Sequence, residues 1–239
     1  MIVYGVNPVL EALRAGAARE VHLTRRPDGR TAEVERLAAA RGVRVVRTSP
    51  AELGVLTGVT QHQGVAAVLV ETRRRWSLSD LVDGQDAPLI VVLDEVEDPQ
   101  NVGAIVRTAD AVGASGIVRQ ERRSAALNAA AMKASAGALA HVRIVDVVNV
   151  VRAMEELKSR GVWMVGLAGD GGQSYETVDY RPATAVVLGS EGTGLRRLVR
   201  DHCDFLARIP MRGHVSSLNV SAAAAVVLYE AVRQRASRG

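Results

Sequence analysis

The amino-acid sequence predicts an α/β protein in which helices and strands alternate along the chain. Stretches with helical apolar periodicity alternate with short apolar runs typical of strands. The run LIVVL at 89–93 is apolar without interruption, as expected of a strand that is buried on both faces. The length, 239 residues, suffices for one large or two small domains. We therefore expect a mostly parallel sheet with helices on both faces, preceded by a smaller α/β unit.

Composition favours a soluble protein of the cytoplasm. Apolar residues make up 48% of the chain and charged residues 23%. We find no run of about 18 uncharged apolar residues, so no transmembrane helix is expected. The start of the chain lacks the basic flank and apolar block of a secretory signal. Cys203 is the single cysteine, which excludes an internal disulfide and fits a reducing cytosol.

The basic residues are unusual in kind. The formal net charge is +4, and of the 30 basic side chains only Lys133 and Lys158 are lysines. The forked guanidinium of Arg suits phosphate recognition, which favours a nucleic-acid partner. A nucleotide bias that also enriches Ala and Val remains the alternative.

Pattern and turn signals predict the elements of a front α/β unit over residues 1–71. The first helix is expected to be capped by Asn7, with Pro8 in its first turn and Gly16 as its terminator. The further expected elements are strand 19–24, helix 31–42, strand 43–48, helix 49–58 and strand 64–70.

A charged stretch at 72–87 is predicted to be a linker with a short helix at 78–82, and 88–239 to be the second domain. The expected strands of that domain are 89–93, 116–119, 142–146, 162–167, 184–189 and 205–209. The expected helices are 101–112, 127–138, 149–160, 194–202 and a long closing helix.

The first polar motif, LDEVEDPQNVGAIVRTADAVGASGIV, begins in the buried strand at 89–93. Pro99 favours extended backbone before it, and Asn101 is placed to cap the following helix. On that helix Arg107 lies nearly opposite the apolar stripe and has alanines beside it, which leaves room for a ligand at its guanidinium. An ordinary solvated Arg is the alternative.

The second motif, VVLGSEGTGL from Val186, leads a strand into Gly189 and Glu191. Its glycines allow positive φ and close approach of the backbone to a ligand. Ligands of open α/β sheets bind at the carboxyl ends of strands, although a plain strand-to-helix turn would have the same pattern. The motif matches neither the early dinucleotide fingerprint nor a P-loop, which counts against a nucleotide-dependent dehydrogenase.

The third motif, RIPMRGHVSSLNVSAAAAVVLYEAV from Arg208, begins the closing helix. Ser217 is placed to cap that helix, and Asn219 falls in its first turn. A helix that is apolar on most sides is buried or lies at a subunit interface. Polar residues at the start of such a helix are consistent with the lining of a ligand pocket. The alternative is that they only cap a helix of the core.

The histidines show no metal-ligand spacing with each other or with Cys203, so no metal is expected. Cys203 itself is expected to be a small core residue rather than a nucleophile.

Taken in order, the three motifs resemble motifs one, two and three of the SpoU (TrmH-type) RNA ribose 2′-O-methyltransferases of the SPOUT superfamily. The residues that carry the resemblance are Asn101, Gly103, Arg107, Thr108, Ala109, Gly189, Glu191, Gly192, Gly194, Ile209, Pro210, Met211, Gly213, Ser216, Ser217, Leu218 and Asn219. The stretches VYGVNPVLEALRAG and HQGVAAVL resemble the L30e-like substrate-binding domain that precedes the methyltransferase domain in part of the family. KASAGAL at 133–139 resembles a further segment of the same subfamily.

The resemblance implies an L30e-like RNA-binding domain at 1–71 and a SPOUT-type methyltransferase domain at 88–239 with a C-terminal trefoil knot. It implies S-adenosyl-L-methionine as cofactor and a homodimer with the final helix in the interface. The residues expected at the cofactor are Leu167, Ala168, Gly189, Ile209, Met211 and Leu218.

The activity implied is 2′-O-ribose methylation of RNA, favouring a guanosine of 23S rRNA. Five residues are expected to carry catalysis: Arg107, Asn101, Glu191, Ser217 and Asn219. Family analogy places Arg107 at the reacting centre, where a guanidinium that holds its proton is better suited to grip phosphate than to act as a base. The alternatives are a tRNA or antibiotic-resistance rRNA substrate, and a non-catalytic ribosome-assembly protein.

Arg side chains are the expected RNA contacts of the front domain. Because aromatic residues make up only 3% of the chain, base stacking is expected to matter less than Arg, backbone and shape. The candidate phosphate contacts are Arg25, Arg26, Arg30, Arg73, Arg74 and Arg75.

Overall fold

The computed structural model describes residues 2–24, 29–69 and 75–236. Contacts divide the chain into two compact units. Unit 1 comprises Met1–Arg74 and Ala126–His141, and unit 2 comprises Arg75–Ala125 and Val142–Gly239.

The elements alternate along the chain as the sequence predicts. The strands are β1 (Ile2–Tyr4), β2 (Ala18–Thr24), β3 (Arg44–Thr48), β4 (Val65–Leu69), β5 (Leu89–Leu93), β6 (Gly116–Gln120), β7 (Ile144–Val147), β8 (Trp163–Leu167), β9 (Gln173–Ser174), β10 (Thr184–Leu188) and β11 (Phe205–Arg208). The helices are α1 (Val6–Arg14), α2 (Gly29–Ala40), α3 (Pro50–Thr57), α4 (Leu78–Val82), α5 (Pro99–Ala111), α6 (Ala129–Ala134), α7 (Val150–Ser159), α8 (Arg197–Asp201) and α9 (Val220–Ala236). Short 3₁₀ turns lie at Ala138–Ala140 and Tyr175–Thr177.

Two stretches belong to other units than the sequence suggests. Residues 126–141, here called the inserted segment, belong to unit 1 although they follow β6 of unit 2 in the chain. Part of the predicted linker belongs to unit 2, where Leu78 and Leu81 of α4 are buried in the core. An apolar pattern shows that a segment is buried, but it does not show against which unit.

Unit 1 is built on a four-stranded sheet in the order β1-β4-β2-β3. The β1–β4 and β2–β4 pairs are antiparallel, and the β2–β3 pair is parallel. Asn7 does not cap α1, because the helix begins at Val6 after Gly5, whose φ of 91° favours glycine. Ser49 and Glu52 form a capping box at the start of α3.

Unit 2 is built on a seven-stranded sheet in the order β7-β6-β5-β10-β8-β11-β9, and every pairing between these strands is parallel. The mostly parallel sheet predicted from the sequence is thus confirmed. The central strands β5 and β10 are buried at every position, which accounts for their continuous apolar runs. Because all strands point the same way, the loops after β5, β8, β10 and β11 emerge at one edge of the sheet.

None of the described helices has the length and apolar character needed to cross a membrane.

Candidate active site

A cavity of about 420 Å³ lies at the carboxyl edge of the unit 2 sheet. The loops that follow β8, β10 and β11 form its walls. It contains all six residues that the sequence places at a cofactor, namely Leu167, Ala168, Gly189, Ile209, Met211 and Leu218. Ser217 lines it as well. The volume lies within the range of small-molecule sites.

The loop after β10 is folded tightly on itself and supplies one wall of this cavity. Ser190 and Gly194 exchange backbone hydrogen bonds of 3.2 and 3.0 Å. A Cβ at Gly189 would lie 2.2 Å from the carbonyl carbon of Gly194, so only glycine fits there. Gly192 and Gly194 have φ angles of 94° and 68°. The glycines of the second motif are therefore required by the shape of the loop.

Both ends of that loop are held by one residue, Asp94, which follows β5 and is fully buried. Its backbone N–H donates to the carbonyl of Leu188, where the loop begins, at 2.8 Å. Its carboxylate accepts the backbone N–H of Arg196, where the loop ends, at 2.9 Å, and the Nε of the same residue at 2.7 Å. Arg196 also donates to Gln120 at 2.9 Å. The pairing of Asp94 with Arg196 was not predicted from the sequence, although an acidic residue directly after a buried strand could have indicated a structural role.

Three of the five predicted catalytic residues form one hydrogen-bonded network. Nδ2 of Asn101 donates to Oε1 of Glu191 at 2.8 Å. Nδ2 of Asn219 donates to the same Oε1 at 2.7 Å and to Oδ1 of Asn101 at 3.0 Å. Residues from all three motifs thus meet, and Oε2 of Glu191 has no partner among the described residues.

The caps of the two helices at this network differ from those expected. Asp98, not Asn101, caps α5, since its side chain accepts the N–H of Gln100 at 2.9 Å and Pro99 occupies the first turn. Asn101 is therefore free to use its amide in the network and is nearly buried, at 7% exposure. At α9, Oδ1 of Asn219 accepts the N–H of Ser221 at 2.9 Å, so Asn219 is the cap in place of Ser217.

The structure does not bring Arg107 to the cavity of its own chain. Arg107 lies six residues after Asn101 on α5, which places it about 9 Å along the axis and about 120° around the helix. Its side chain is exposed, makes no hydrogen bond or ion pair with a described residue, and does not line the cavity.

A second cavity, of about 410 Å³, adjoins the first, because Ser190 and Glu191 line both. Its other walls come from the loop before α5, including Glu95, Glu97 and Asp98. The network therefore stands between two cavities. The second is acidic, so a phosphate there would need a cation from another source.

An ion pair lies on the wall of the first cavity. Arg200 donates from two nitrogens to the two oxygens of Asp170, at 2.8 and 3.0 Å. The hydrogen bond from Arg200 holds the pKa of Asp170 below its ordinary value. Both residues line the cavity, so the pair presents fixed polar atoms to a ligand.

The remaining predictions concern the thiol, metals and the arginines. The thiol of Cys203 donates to the carbonyl of Val199, and burial raises its pKa to about 12, which is unsuited to a nucleophile. No group of three or more metal-ligating side chains occurs within the described ranges. Arg75 is exposed. Five of the proposed RNA contacts lie outside the residues or side chains that the structure describes, namely Arg25, Arg26, Arg30, Arg73 and Arg74.

Two known families match successive parts of the chain. Residues 88–229 match the SpoU rRNA Methylase family. The chain belongs to the SpoU rRNA methylase family. Residues 2–74 match the family described as RNA 2′-O ribose methyltransferase substrate binding.

Full-length relatives and solved structures accompany these matches. The chain is 41% identical to a 23S rRNA (guanosine-2′-O-)-methyltransferase RlmB from Burkholderia sp., over 99% of this chain and 98% of the relative. It is 42% identical to the RlmB of Xylella fastidiosa, over 98% and 96%. The SpoU methyltransferase AviRb from Streptomyces viridochromogenes, solved in complex with AdoMet, superposes with a TM-score of 0.85 at 29% identity, over 99% of this chain and 91% of AviRb.

Proposed function

We propose that this SpoU protein methylates the 2′-hydroxyl of a guanosine ribose in 23S rRNA, with S-adenosylmethionine as the methyl donor. One observation carries the proposal: the three motifs converge on a network of Asn101, Glu191 and Asn219 beside a ligand-sized cavity. The relatives of about 40% identity support the choice of substrate. Since the substrate is ribosomal RNA, the cytoplasm is the proposed location.

The residues of the cavity fit S-adenosylmethionine. The volume of about 420 Å³ is sufficient for a ligand of this size. The exposed backbone of the Gly189 loop offers hydrogen bonds, a Cβ there being excluded, and Leu167, Ile209 and Leu218 offer apolar surface. When bound, this cofactor supplies an electrophilic methyl group on a sulfonium, a leaving group that needs no acid.

The chain must then hold a hydroxyl in line and accept its hydrogen bond. The amides of Asn101 and Asn219 both donate to Oε1 of Glu191 and so fix the carboxylate. Its second oxygen, Oε2, is left to accept the hydrogen bond of the ribose 2′-hydroxyl, to align the oxygen lone pair with the methyl group, and to take the proton that the hydroxyl loses on methylation. Ser217 shapes the wall where the two ligands meet.

Arg107 is assigned to the phosphate beside the reacting ribose, in a homodimer. Within one chain Arg107 is exposed and away from the cavity, while α5, which carries it, packs against α9. Tyr229 on α9 is 54% exposed, and Leu218 and Val215 near its start are 39% and 65% exposed. We propose that a second copy covers this apolar surface and that Arg107 of the partner subunit then reaches the cavity. The trefoil knot, which would bring the loops after β10 and β11 together, is part of the same proposal.

RNA affinity is assigned to unit 1 and to the arginines within it and directly after Arg74. The contacts proposed are Arg25, Arg26, Arg30, Arg73, Arg74 and Arg75. Binding through phosphates releases counterions, so replacing these residues with Ala should flatten the salt dependence of RNA affinity as well as weaken it.

Methyl transfer to rRNA transcripts tests the proposal. The protein, labelled S-adenosylmethionine and 23S rRNA should give label at one guanosine, and a transcript with a 2′-deoxy nucleotide there should give none. Mapping of ribose methylation in cells with and without the gene identifies the position. Label on tRNA alone, or no label with any RNA while S-adenosylmethionine binds, would refute the substrate and the activity respectively.

A further inference from the structure

Unit 1 contains a groove that none of the predicted contacts explains. Two cavities, of about 1040 and 1010 Å³, share the residues Tyr4, Gln61 and Lys133 and therefore adjoin. Asn7 lines the first, and residues of α3 with the following loop line the second. We call the two cavities together the Tyr4 groove.

Four polar side chains of the Tyr4 groove have no partner among the described residues. Tyr4, Asn7, Gln61 and Lys133 have no side-chain hydrogen bond or ion pair to any described residue. Tyr4 is half-buried, and Asn7, Gln61 and Lys133 are exposed, so the polar atoms of all four are accessible to a ligand in the groove.

Other polar side chains in the groove are engaged in holding its shape. Oε1 of Gln63 accepts the N–H of Val6 at 3.0 Å, and His62 contacts the carbonyl of Pro50 at 3.2 Å. Glu33, the one carboxylate of the groove lining, lies 3.3 Å from Arg14. The groove is thus preorganised, and its one negative charge is paired.

The inserted segment fixes the position of Lys133. Gly137 has a φ of 96°, and a Cβ there would lie 2.3 Å from Cβ of Glu11. His141 in turn lies 3.0 Å from the Glu11 carboxylate. Met132, next to Lys133 on α6, is 1% exposed. The close packing against α1 holds Lys133 at the groove.

The chemistry of these groups matches a nucleotide of RNA. Tyr4 is the only Phe, Tyr or Trp of unit 1, and Lys133 is its only lysine. An aromatic ring stacks on a base, amides bond to base edges, and an ammonium binds phosphate. Unit 1 has 12 Lys and Arg against 7 Asp and Glu, a net charge of +5, whereas unit 2 has 18 against 19, a net charge of −1. The net positive charge of the chain, which attracts a polyanion, thus lies in unit 1.

We propose that the Tyr4 groove binds an unpaired nucleotide of the RNA substrate. The base stacks on Tyr4, Asn7 and Gln61 bond to its edge, and Lys133 contacts a flanking phosphate. A paired base of A-form RNA is inaccessible to such side chains, so the nucleotide must be unpaired. The inference rests on the proposed function for the identity of the substrate and names the site that selects it.

The test uses the full chain and two probes: 23S rRNA transcript in the methylation assay, and a labelled 12-nucleotide oligoadenylate in equilibrium binding. Tyr4→Ala should raise the KM for rRNA about tenfold, the order of magnitude of one lost base stack, with kcat and cofactor affinity unchanged. Tyr4→Trp should retain wild-type KM. The oligoadenylate should bind more tightly than a 12-base-pair RNA duplex, and Tyr4→Ala should abolish the difference.

Lys133→Ala supplies a second variant with little risk to the fold, because Lys133 is exposed. It should raise the KM, whereas Arg41→Ala, which removes one exposed charge of unit 1 away from the groove, should raise it less. If wild type, Tyr4→Ala and Lys133→Ala have the same KM and the same affinity for oligoadenylate, the proposed role of the Tyr4 groove is refuted. An inactive wild type that binds oligoadenylate through Tyr4 would overturn the proposed function while supporting the groove.

Discussion

Replacing Asp94 with Ala should loosen the wall of the candidate active-site cavity without removing any residue that lines it. The Asp94 backbone N–H to Leu188 remains, so the start of the Gly189 loop stays attached. The end of the loop loses its acceptor, because the backbone and Nε of Arg196 both donate to the missing carboxylate. The backbone of the loop between these two ends is then attached less firmly, while Asn101 and Asn219 still donate to Glu191.

The structure bounds the size of the effect. Breaking a buried ion pair costs about 3–5 kcal/mol, and Asp94 is fully buried. Arg196 is 38% exposed and keeps Gln120 as an acceptor, so solvent and that contact offset part of the loss. We therefore expect unit 2 to lose about 3 kcal/mol of unfolding free energy.

Urea unfolding followed by tryptophan fluorescence measures this loss in the correct unit, because both tryptophans, Trp76 and Trp163, lie in unit 2. In calorimetric titration at low urea, the affinity for S-adenosylmethionine should fall by about tenfold. This fall corresponds to about 1.4 kcal/mol of binding free energy, the part of the lost stability that loosens the loop while the protein stays folded. The KM for RNA should not change.

Asp146→Ala is the matched control. Asp146 pairs with Arg119 at 2.6 Å between neighbouring strands, and Arg119 is 9% exposed, but neither residue lines the cavity. This variant should lose stability and keep its cofactor affinity. Wild-type unfolding and cofactor affinity in Asp94→Ala, or an equal loss of affinity in both variants, would refute the role given to Asp94.

Three further predictions follow from single contacts. Arg107→Ala and Asn219→Ala should each be inactive. In the proposed homodimer, exchange of subunits between the two variants should restore about one quarter of wild-type activity, because about half of the dimers are then mixed and each mixed dimer has one intact site. No restoration would place Arg107 in its own chain's site. Hydrogen bonds from Arg233 lower the pKa of Glu230 from 4.5, so Glu230 stabilises the fold above that pH and less as the pH falls through the lower value. The urea midpoints of wild type and Glu230→Gln should therefore differ at pH 7 and converge in acid, and a constant difference would contradict the ion pair. Because burial raises the pKa of Cys203 to about 12, iodoacetamide at pH 8 should alkylate it slowly until urea is added, and equal rates would contradict its burial.

The periodic elements were predictable because each repeats a signal along its length. The buried strand β5 and the helix α7 lie within a residue or two of their expected bounds. The strands β1 and β9 were missed, since three and two residues are too few to show an alternation. Their pairing partners, β4 and β11, supply the structure that their own sequences do not.

The three members of the hydrogen-bonded network were predictable, and the bonds between them were less so. Asn101, Glu191 and Asn219 were expected together from the resemblance of the motifs, but their mutual hydrogen bonds depend on side-chain directions that spacing does not give. The competition between Asp98 and Asn101 for the cap of α5 shows the same limit, because both residue types cap helices well. Asp94 and Arg196 are 102 residues apart, and no local pattern links them.

The composition of unit 1 from two separate stretches has a consequence for chimeric enzymes. A front domain taken from a relative and joined at the boundary near residue 74 would lack its own α6. It would have to pack against the inserted segment of the recipient protein. Met132 and Leu139, both buried in the native protein, would then have mismatched neighbours. Chimeras that exchange substrate specificity between relatives should therefore exchange both stretches together, so that Lys133 and Tyr4 come from the same protein.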